Sequence, residues 1–396
     1  MKADWEIKTL GEVYDVRDGT HDSPKYHADG FPLITSKNLK QNGLSFDDVK
    51  FISEQDYKQI NQRSAVHKGD VLFAMIGTIG NPTLVEIEPN FAIKNVALFK
   101  VSNHNNGKFL KYYLESEFVV SKMISEAKGT TQKFVGLGYL REFPIPLPPL
   151  PEQKRLVTLL DEAFESIATA KANAQQNLKN ARALFESHLN EVFAESWKNH
   201  ELVKLADLAT DITDGDHMPP PKSTSGVPFI TIGNINKNTR IIDFSDTFMV
   251  SREYFDRLKI NKKPKKGDVL YTVTGSFGVP VLLNENKEFC FQRHIGLVRP
   301  KPEIHSEWLY YLLMSPQIFK QANDGATGTA QKTVSLSLLR SFQVPRVPLE
   351  HQLPIIKKLN TLSEETKHLE VLYSRKIAAI DELKKALLHR AFSGEL

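Results

Sequence analysis

The chain has 396 residues, 41% of them hydrophobic and 25% charged, with a formal net charge of +4; this is ordinary for a folded globular protein and excludes the disordered, collagen-like and disulfide-stapled classes. The single cysteine, Cys290, leaves no mate for an internal disulfide. The opening MKADWEIKTL lacks a signal peptide's apolar core, and the longest apolar stretches, such as residues 71–76, fall far short of the roughly 20 residues that span a bilayer. A cytoplasmic protein with no membrane segment is expected.

In chain order, an apolar pattern at Trp5, Ile7, Leu10 and Val13 precedes DGTHDSPKYHADGFPLITSKNL, residues 18–39. Gly, Asp, Ser and Pro there mark turns, and FPLIT marks the start of a buried strand. Asp18, His21, Asp22 and His27 suggest a metal site only weakly, since no further ligands occur at a recurrent spacing; a polar surface loop is the expectation. KGDVLFAMIGTIGNP, residues 68–82, predicts a tight turn feeding a buried strand, with Gly77 and Gly80 allowing a sharp bend. A phosphate cradle would need a helix directly after those glycines, and Pro82 with the β-rich TLVEI argues against one. FAIKNVALFKV, residues 91–101, predicts another strand, and FLKYYLES an amphipathic helix running to about Ala127. The first repeat is therefore a mixed α/β domain.

GTTQKFVGLGYLREFPIPLPPLPEQ, residues 129–153, returns as GTAQKTVSLSLLRSFQVPRVPLEHQ, residues 328–352, at a shift of 199. This echo is a duplication. Each copy ends in a proline-rich stop, which cannot continue a helix interior but is tolerated in a helix's first turn. Beyond the first stop runs a stripe of apolar or small residues at Leu156, Leu160, Ala163, Ile167, Ala170, Ala174, Leu178, Ala181, Phe185, Leu189 and Val192, which predicts one uninterrupted amphipathic helix. A helix of that length must bury its stripe against a mate.

The second repeat keeps the same order. DGDHMPPPKSTSGVPFITIGNI, residues 214–235, answers the first block, KGDVLYTVTGSFGVP, residues 266–280, the second, and WLYYLLMS the helix start. Residues 1–150 carry 18 Lys and Arg against 18 Asp and Glu, whereas residues 201–349 carry 19 against 15. The excess gathers at Lys259, Lys262, Lys263, Lys265 and Lys266, a run suited either to phosphates or to a solvated loop. The mate is the stripe Ile355, Leu359, Leu362, Thr366, Leu369, Tyr373, Ile377, Ile380, Leu383, Leu387 and Ala391. The expected fold class is α+β (mixed α/β): two duplicated domains, residues 1–150 and 199–349, alternating with two long helices, residues 151–198 and 350–396. These helices are expected to form an antiparallel, coiled-coil-like pair that makes the molecule pseudo-two-fold.

This order of blocks, with DGTH and DGDH loops, paired KGDVL strands, GTTQK and GTAQK segments, and PLPPLPEQ and VPLEHQ leading into long helices, resembles the specificity subunit of type I restriction-modification systems over essentially the whole chain. The resemblance implies that each repeat is a target recognition domain for one half of a bipartite, asymmetric site in double-stranded DNA. It implies too that the helices set the spacer and dock two methyltransferase subunits, through which restriction and translocase subunits join. S-adenosylmethionine, ATP and Mg would then belong to those partners, with no cofactor in this chain. A specificity subunit of a related methyltransferase-linked phage-defence system is the alternative. The sequence has no Asp/Asn-Pro-Pro-aromatic tetrapeptide, no GxxxxGK[ST] loop and no Pro-Asp dipeptide, so an enzyme acting alone is disfavoured. A protein-only coiled-coil scaffold would not require two copied domains with lysine-bearing loops.

Base reading needs donors and acceptors on loops, while phosphate contacts need only charge. Lys94 and Asn95 in the first repeat, and Gln292, Arg293 and His294 in the second, differ as readers of different half-sites should. Gln132 with Lys133 and Gln331 with Lys332 recur, which suits backbone positioning, and Lys263 suits phosphate. Lys37, Lys222 and Asn234 complete the expected DNA-binding set. For each, a structural role as a cap or an ion-pair partner stays open.

Overall fold

The computed structural model describes residues 5–40, 43–218, 220–329 and 331–396. Residues 1–4 of the opening segment, residues 41–42, Pro219 of MPPPK and Ala330 of GTAQK lie outside the described residues. The chain divides into two units, residues 1–175 with 374–396, and residues 176–373. Each unit therefore holds one repeat together with part of each long helix.

In the first unit a four-stranded antiparallel sheet runs in the order Asp15–Asp18, Val96–Lys100, Val71–Ala74, Gly80–Leu84. Both faces are covered, which explains the unbroken apolar run at residues 71–75. Val71, Phe73, Ala97 and Phe99 face a core with Phe109, Leu110 and Tyr113 of the helix Gly107–Glu115. Leu72, Ala74, Val96 and Leu98, pointing the other way along the same strands, pack with Ile34, Phe91 and Ile93. A second sheet of three strands, Lys50–Ile52, Phe31–Ile34 and Ala92–Ile93, carries that other layer, with the last two strands parallel.

The second unit repeats this plan. Ala209–Asp214, Ile295–Pro300, Val269–Thr272 and Pro280–Leu282 form the four-stranded sheet, and Phe248–Val250, Val227–Ile230 and Cys290–Phe291 the three-stranded one.

Two predicted elements are broken where the sequence suggested continuity. Residues 91–101 form two strands, Ala92–Ile93 and Val96–Lys100, in different sheets, because Asn95 turns the chain with φ of 54°. The helix expected to run to about Ala127 is two helices, Gly107–Glu115 and Glu117–Glu126, separated by the extended, fully buried Ser116, whose hydroxyl donates to the Tyr113 carbonyl. Ser315 makes the same break between Ser306–Met314 and Pro316–Gly325. The proline-rich stops are strands: Pro144–Leu147 pairs with Glu6–Thr9, and Gln343–Pro345 with Leu202–Lys204. Each pair is a sheet of its own, so the prolines lack amide hydrogens only where no further strand would use them.

The central helix, Leu150–Asn199, spans 50 residues and the C-terminal helix, Leu349–Ser393, spans 45. They run antiparallel within each unit. In the first, the Arg155 guanidinium donates to the Leu396 carbonyl at 2.9 Å, and Lys171 meets Asp381 at 2.5 Å. In the second, Arg182 meets Glu370 at 3.0 Å, while Leu189 and Phe193 share a core with Leu359 and Ile356. Leu156, Leu160, Ala174, Ala181 and Leu189 of the predicted stripe are buried, as are Leu359, Thr366, Ile380 and Ala391 of its mate. Leu383 is not: it is 50% exposed, and Leu388 is buried further along the helix.

Candidate nucleic-acid interface

Strand direction gathers the sequence motifs at one end of each four-stranded sheet. In the first domain Asp15–Asp18 ends, Val96–Lys100 begins, Val71–Ala74 ends and Gly80–Leu84 begins at the same edge, as the pairs Asp18 with Ala97, Val96 with Ala74, and Ala74 with Gly80 establish. The DGTH loop, the Lys94–Asn95 turn and the loop of Gly77 therefore emerge side by side. The GTTQK segment joins them through the bridge of Ile76 with Phe134 and the 2.9 Å bond from the Gly77 amide to the Lys133 carbonyl. In the second domain Asp214, Ile295, Thr272 and Pro280 mark the same edge, and GTAQK docks on it through a 3.0 Å bond from the Gly275 amide to the Lys332 carbonyl.

What the copies share is a frame. The Thr20 amide donates to the Ile93 carbonyl at 3.0 Å and the Asn95 amide to the Thr20 carbonyl at 3.1 Å; Asp216, Phe291 and Arg293 repeat both bonds at 3.0 Å. The approach is so close that a Cβ at Gly19 would stand 2.2 Å from the Ile93 carbonyl oxygen, and one at Gly215 would stand 1.8 Å from that of Phe291. Only glycine fits there. Gln132 and Gln331 lie against Gly77 and Gly275, each within 2.8 Å of where a Cβ would be, and both glycines have positive φ. Arg141 and Arg340 donate to the carbonyls of Val16 and Ile212 on the first strand of each sheet. Buried Gln153 and Gln352 tie the domains to the helix starts, accepting from the Asn106 amide at 3.0 Å and the His305 amide at 2.8 Å. This role was missed in the sequence, although recurrence at the 199-residue shift marked both glutamines.

What differs is the set of donors on the frame. Lys94 reaches the Ser23 hydroxyl at 2.7 Å, and the Asn95 carboxamide lies 2.8 Å from His21, which in turn lies 2.9 Å from Asp18. Asp18 is 5% exposed and also pairs with Arg63. Gln292 and Arg293 occupy the matching turn, and neither side chain has a hydrogen bond or ion pair among the described residues. His294 is an extra residue before the strand; partial burial first, and then the Arg293 charge, lower its pKa. Lys133 and Lys332 are exposed, with ammonium groups 3.5 Å from the Ile124 carbonyl and 3.1 Å from Asn323 Oδ1. Lys37 is exposed just after the strand Phe31–Ile34, whose Ile34 carbonyl accepts from the Lys94 amide at 2.9 Å.

Three of the expected residues have other contacts in the structure. Asn234 is 8% exposed and engaged at both ends: its Oδ1 accepts from the Thr231 amide and hydroxyl, and its Nδ2 donates to the Asp246 carbonyl at 2.9 Å. Asn38 does the same in the first domain, so this asparagine closes a loop in both copies. The Lys263 ammonium sits 3.0 Å from the Asp256 carbonyl and 5.0 Å from the centre of the Phe255 ring. Lys222 is exposed but stands 5.3 Å over the Phe248 ring. Within the basic run Lys262 is likewise engaged, with the Gly215 carbonyl at 3.2 Å, while Lys259, Lys265 and Lys266 are exposed. Asp18 and His21 are spent on each other, Asn95 and Arg63, and no group of three metal-ligating residues gathers among the described residues.

A duplicated α/β domain that holds one loop frame constant and changes the donors upon it defines a two-module recognition protein. The family model of the type I restriction modification DNA specificity domain matches residues 2–180 and again 195–373, and the chain belongs to that family. It is 23% identical over 394 residues to the type I restriction enzyme EcoBI specificity subunit of Escherichia coli, covering 93% of this chain and 80% of that one. It is also 23% identical over 425 residues to the MjaVIII specificity subunit of Methanocaldococcus jannaschii, covering 99% and 93%. Among solved structures, a chain from work on complex assembly and conformational transition of the type I R-M system superimposes with a TM-score of 0.78 at 21% identity, over 100% of this chain and 99% of that one. The HsdS subunit from Thermoanaerobacter tengcongensis gives 0.62 at 21% identity, over 100% and 98%. At such identities the likeness to these structures establishes the fold.

Proposed function

We propose that each domain reads one half of a bipartite, asymmetric site in double-stranded DNA, and that the two long helices set the spacer and dock two methyltransferase subunits. Restriction and translocase subunits join through these partners, which supply S-adenosylmethionine, ATP and Mg; the chain itself performs no catalysis and works in the cytoplasm. One observation carries the reading: Lys94 with Asn95, and Gln292 with Arg293, stand on the same backbone hydrogen bonds in the two domains but present different donors. A shared frame with exchanged donors is what reading two different sequences by one geometry requires.

The test is methylation of genomic DNA by the chain with and without its methyltransferase partner. Together they are expected to mark adenine in a two-part motif, and the chain alone is expected neither to methylate nor to cleave. Activity of the chain alone, abolished by a point substitution within it, would overturn the proposal.

A further inference from the structure

The two recognition turns differ in one respect that their shared frame does not require. In the first domain the buried Asp18 carboxylate holds His21 through Nε2 at 2.9 Å, and His21 Nδ1 lies 2.8 Å from the Asn95 carboxamide. Asn95 is fixed at its backbone as well, with φ of 54° and its amide on the Thr20 carbonyl. In the second domain Asp214 holds His217 at the same 2.9 Å, but the residue in the Asn95 position is Arg293, and His217 has no second hydrogen bond among the described residues. The Asp–His pair is constant, and only in the first domain does it grip a reader.

An asparagine reads adenine by using both ends of its carboxamide, one as donor and one as acceptor, along the major-groove edge. Here one end is occupied by the imidazole. We propose that His21 is a specificity-determining positioning residue: by holding one end of the Asn95 carboxamide, it makes Asn95 a reader with a single free end, of fixed orientation, for one base pair of the first half-site. The inference rests on the proposed DNA-reading function. It adds that the first domain is pre-organised at this turn, whereas Arg293 in the second orders on contact with DNA. Loss of the imidazole frees the carboxamide to rotate and to engage a base with both ends, so the base preference changes rather than the general affinity.

The experiment uses the full chain with its methyltransferase partner, titrated against single-base variants of its methylome-defined site. His21→Ala is expected to change discrimination at one base pair of the first half-site by about five- to tenfold, with the salt dependence unchanged. The change should vanish in an Asn95→Ala background, since the two residues act through one contact. His217→Ala should leave the second half-site's preferences as they are. If thermal melting shows that His21→Ala is poorly folded, His21→Asn, which keeps a donor toward Asp18 but withdraws from Asn95, should give the same change. Equal weakening of every variant site, or an unchanged effect of His21→Ala in the Asn95→Ala background, would overturn the positioning role. A wild-type complex with no sequence preference would instead overturn the DNA-reading function beneath it.

Discussion

Arg293 and Arg299 lie six residues apart, and their surroundings give them opposite tasks. Arg293 is exposed on the turn that matches that of Asn95, with its forked donors uncommitted among the described residues, a form suited to a guanine edge. Arg293→Ala is expected to lose about 1–3 kcal/mol of discrimination at one position of the second half-site. Lys37→Ala should weaken all sequences alike and lower the salt slope by about one. Both are read by titrating variant sites at several salt concentrations. Arg299 is instead 8% exposed, with Nε and Nη2 donating to the two oxygens of Asp268 at 2.9 and 2.8 Å and Nη2 also to the Lys263 carbonyl. Arg299→Ala would leave a buried carboxylate unpaired, at a cost of about 3–5 kcal/mol in urea unfolding. Arg299→Lys should cost less, because Lys100 fills the equivalent place on Asp70 at 2.5 Å in the first domain.

At the scale of elements, each domain is fastened to a helix by polar contacts at matching places. Lys108 meets Asp161 at 2.8 Å where Glu307 meets Asn360 at 2.8 Å, and Tyr112 and Tyr311 donate to the same two helix residues. The first domain adds Glu115, which lies 2.6 Å from Lys384 of the C-terminal helix. Burial pushes the Glu115 carboxyl up, but Lys111 and Lys384 outweigh it, and the net shift is below the ordinary value of 4.5. A carboxylate whose pKa is lower folded than unfolded contributes stability above its unfolded pKa and loses it as the pH falls through the folded one. Lys384→Met is therefore expected to destabilise the protein at pH 7 by up to about 1 kcal/mol, and the difference from wild type should shrink as the pH falls below about 4.5. Urea midpoints across that range measure it. The helix register gives a second prediction: Lys171 with Asp381 and Arg182 with Glu370 share one sum of residue numbers. Four residues inserted after Gln176 and four after Lys376 would keep both registers while adding about 6 Å of helix and some 40° of rotation. Methylome sequencing is expected to show a longer spacer with both half-sites unchanged.

For the whole molecule, the duplication means that half of the chain carries a nearly complete set of parts. Residues 1–197 contain one recognition domain and the central helix without the C-terminal helix that covers its stripe. Ala181, Leu189 and Phe193, buried at 4%, 2% and 0% exposure, would be opened to solvent, and a second copy of the same stripe can cover them antiparallel with two-fold symmetry. Residues 1–197 are expected to sediment as a dimer and, with the methyltransferase partner, to mark a palindrome of the first half-site. A stable monomer would contradict the role given to the helix pair.

The sequence by itself determined the duplication, the mixed α/β domains, the two long helices and the family, because these rest on local periodicity and on blocks repeated in order. It also separated shared from differing residues: in the structure the recurring Gly, Gln and Arg of the echo hold loops and strands, while the turn of Asn95 and Arg293 differs. What it could not give was which side chains meet, whether near in the chain or far apart. Asn234 stood in a polar loop like any reader, yet its carboxamide meets Thr231 and Asp246, and Lys263 belonged to a basic run, yet its ammonium meets the Asp256 backbone carbonyl and the Phe255 ring. Leu383 kept the heptad-like spacing, yet the burial of a helix depends on the curvature and width of what it packs against, which periodicity does not encode. The grip of His21 on Asn95 joins residues 74 apart; only the tertiary structure decides such a bond, because the sheet that brings the two loops to one edge is built from pairings between distant strands.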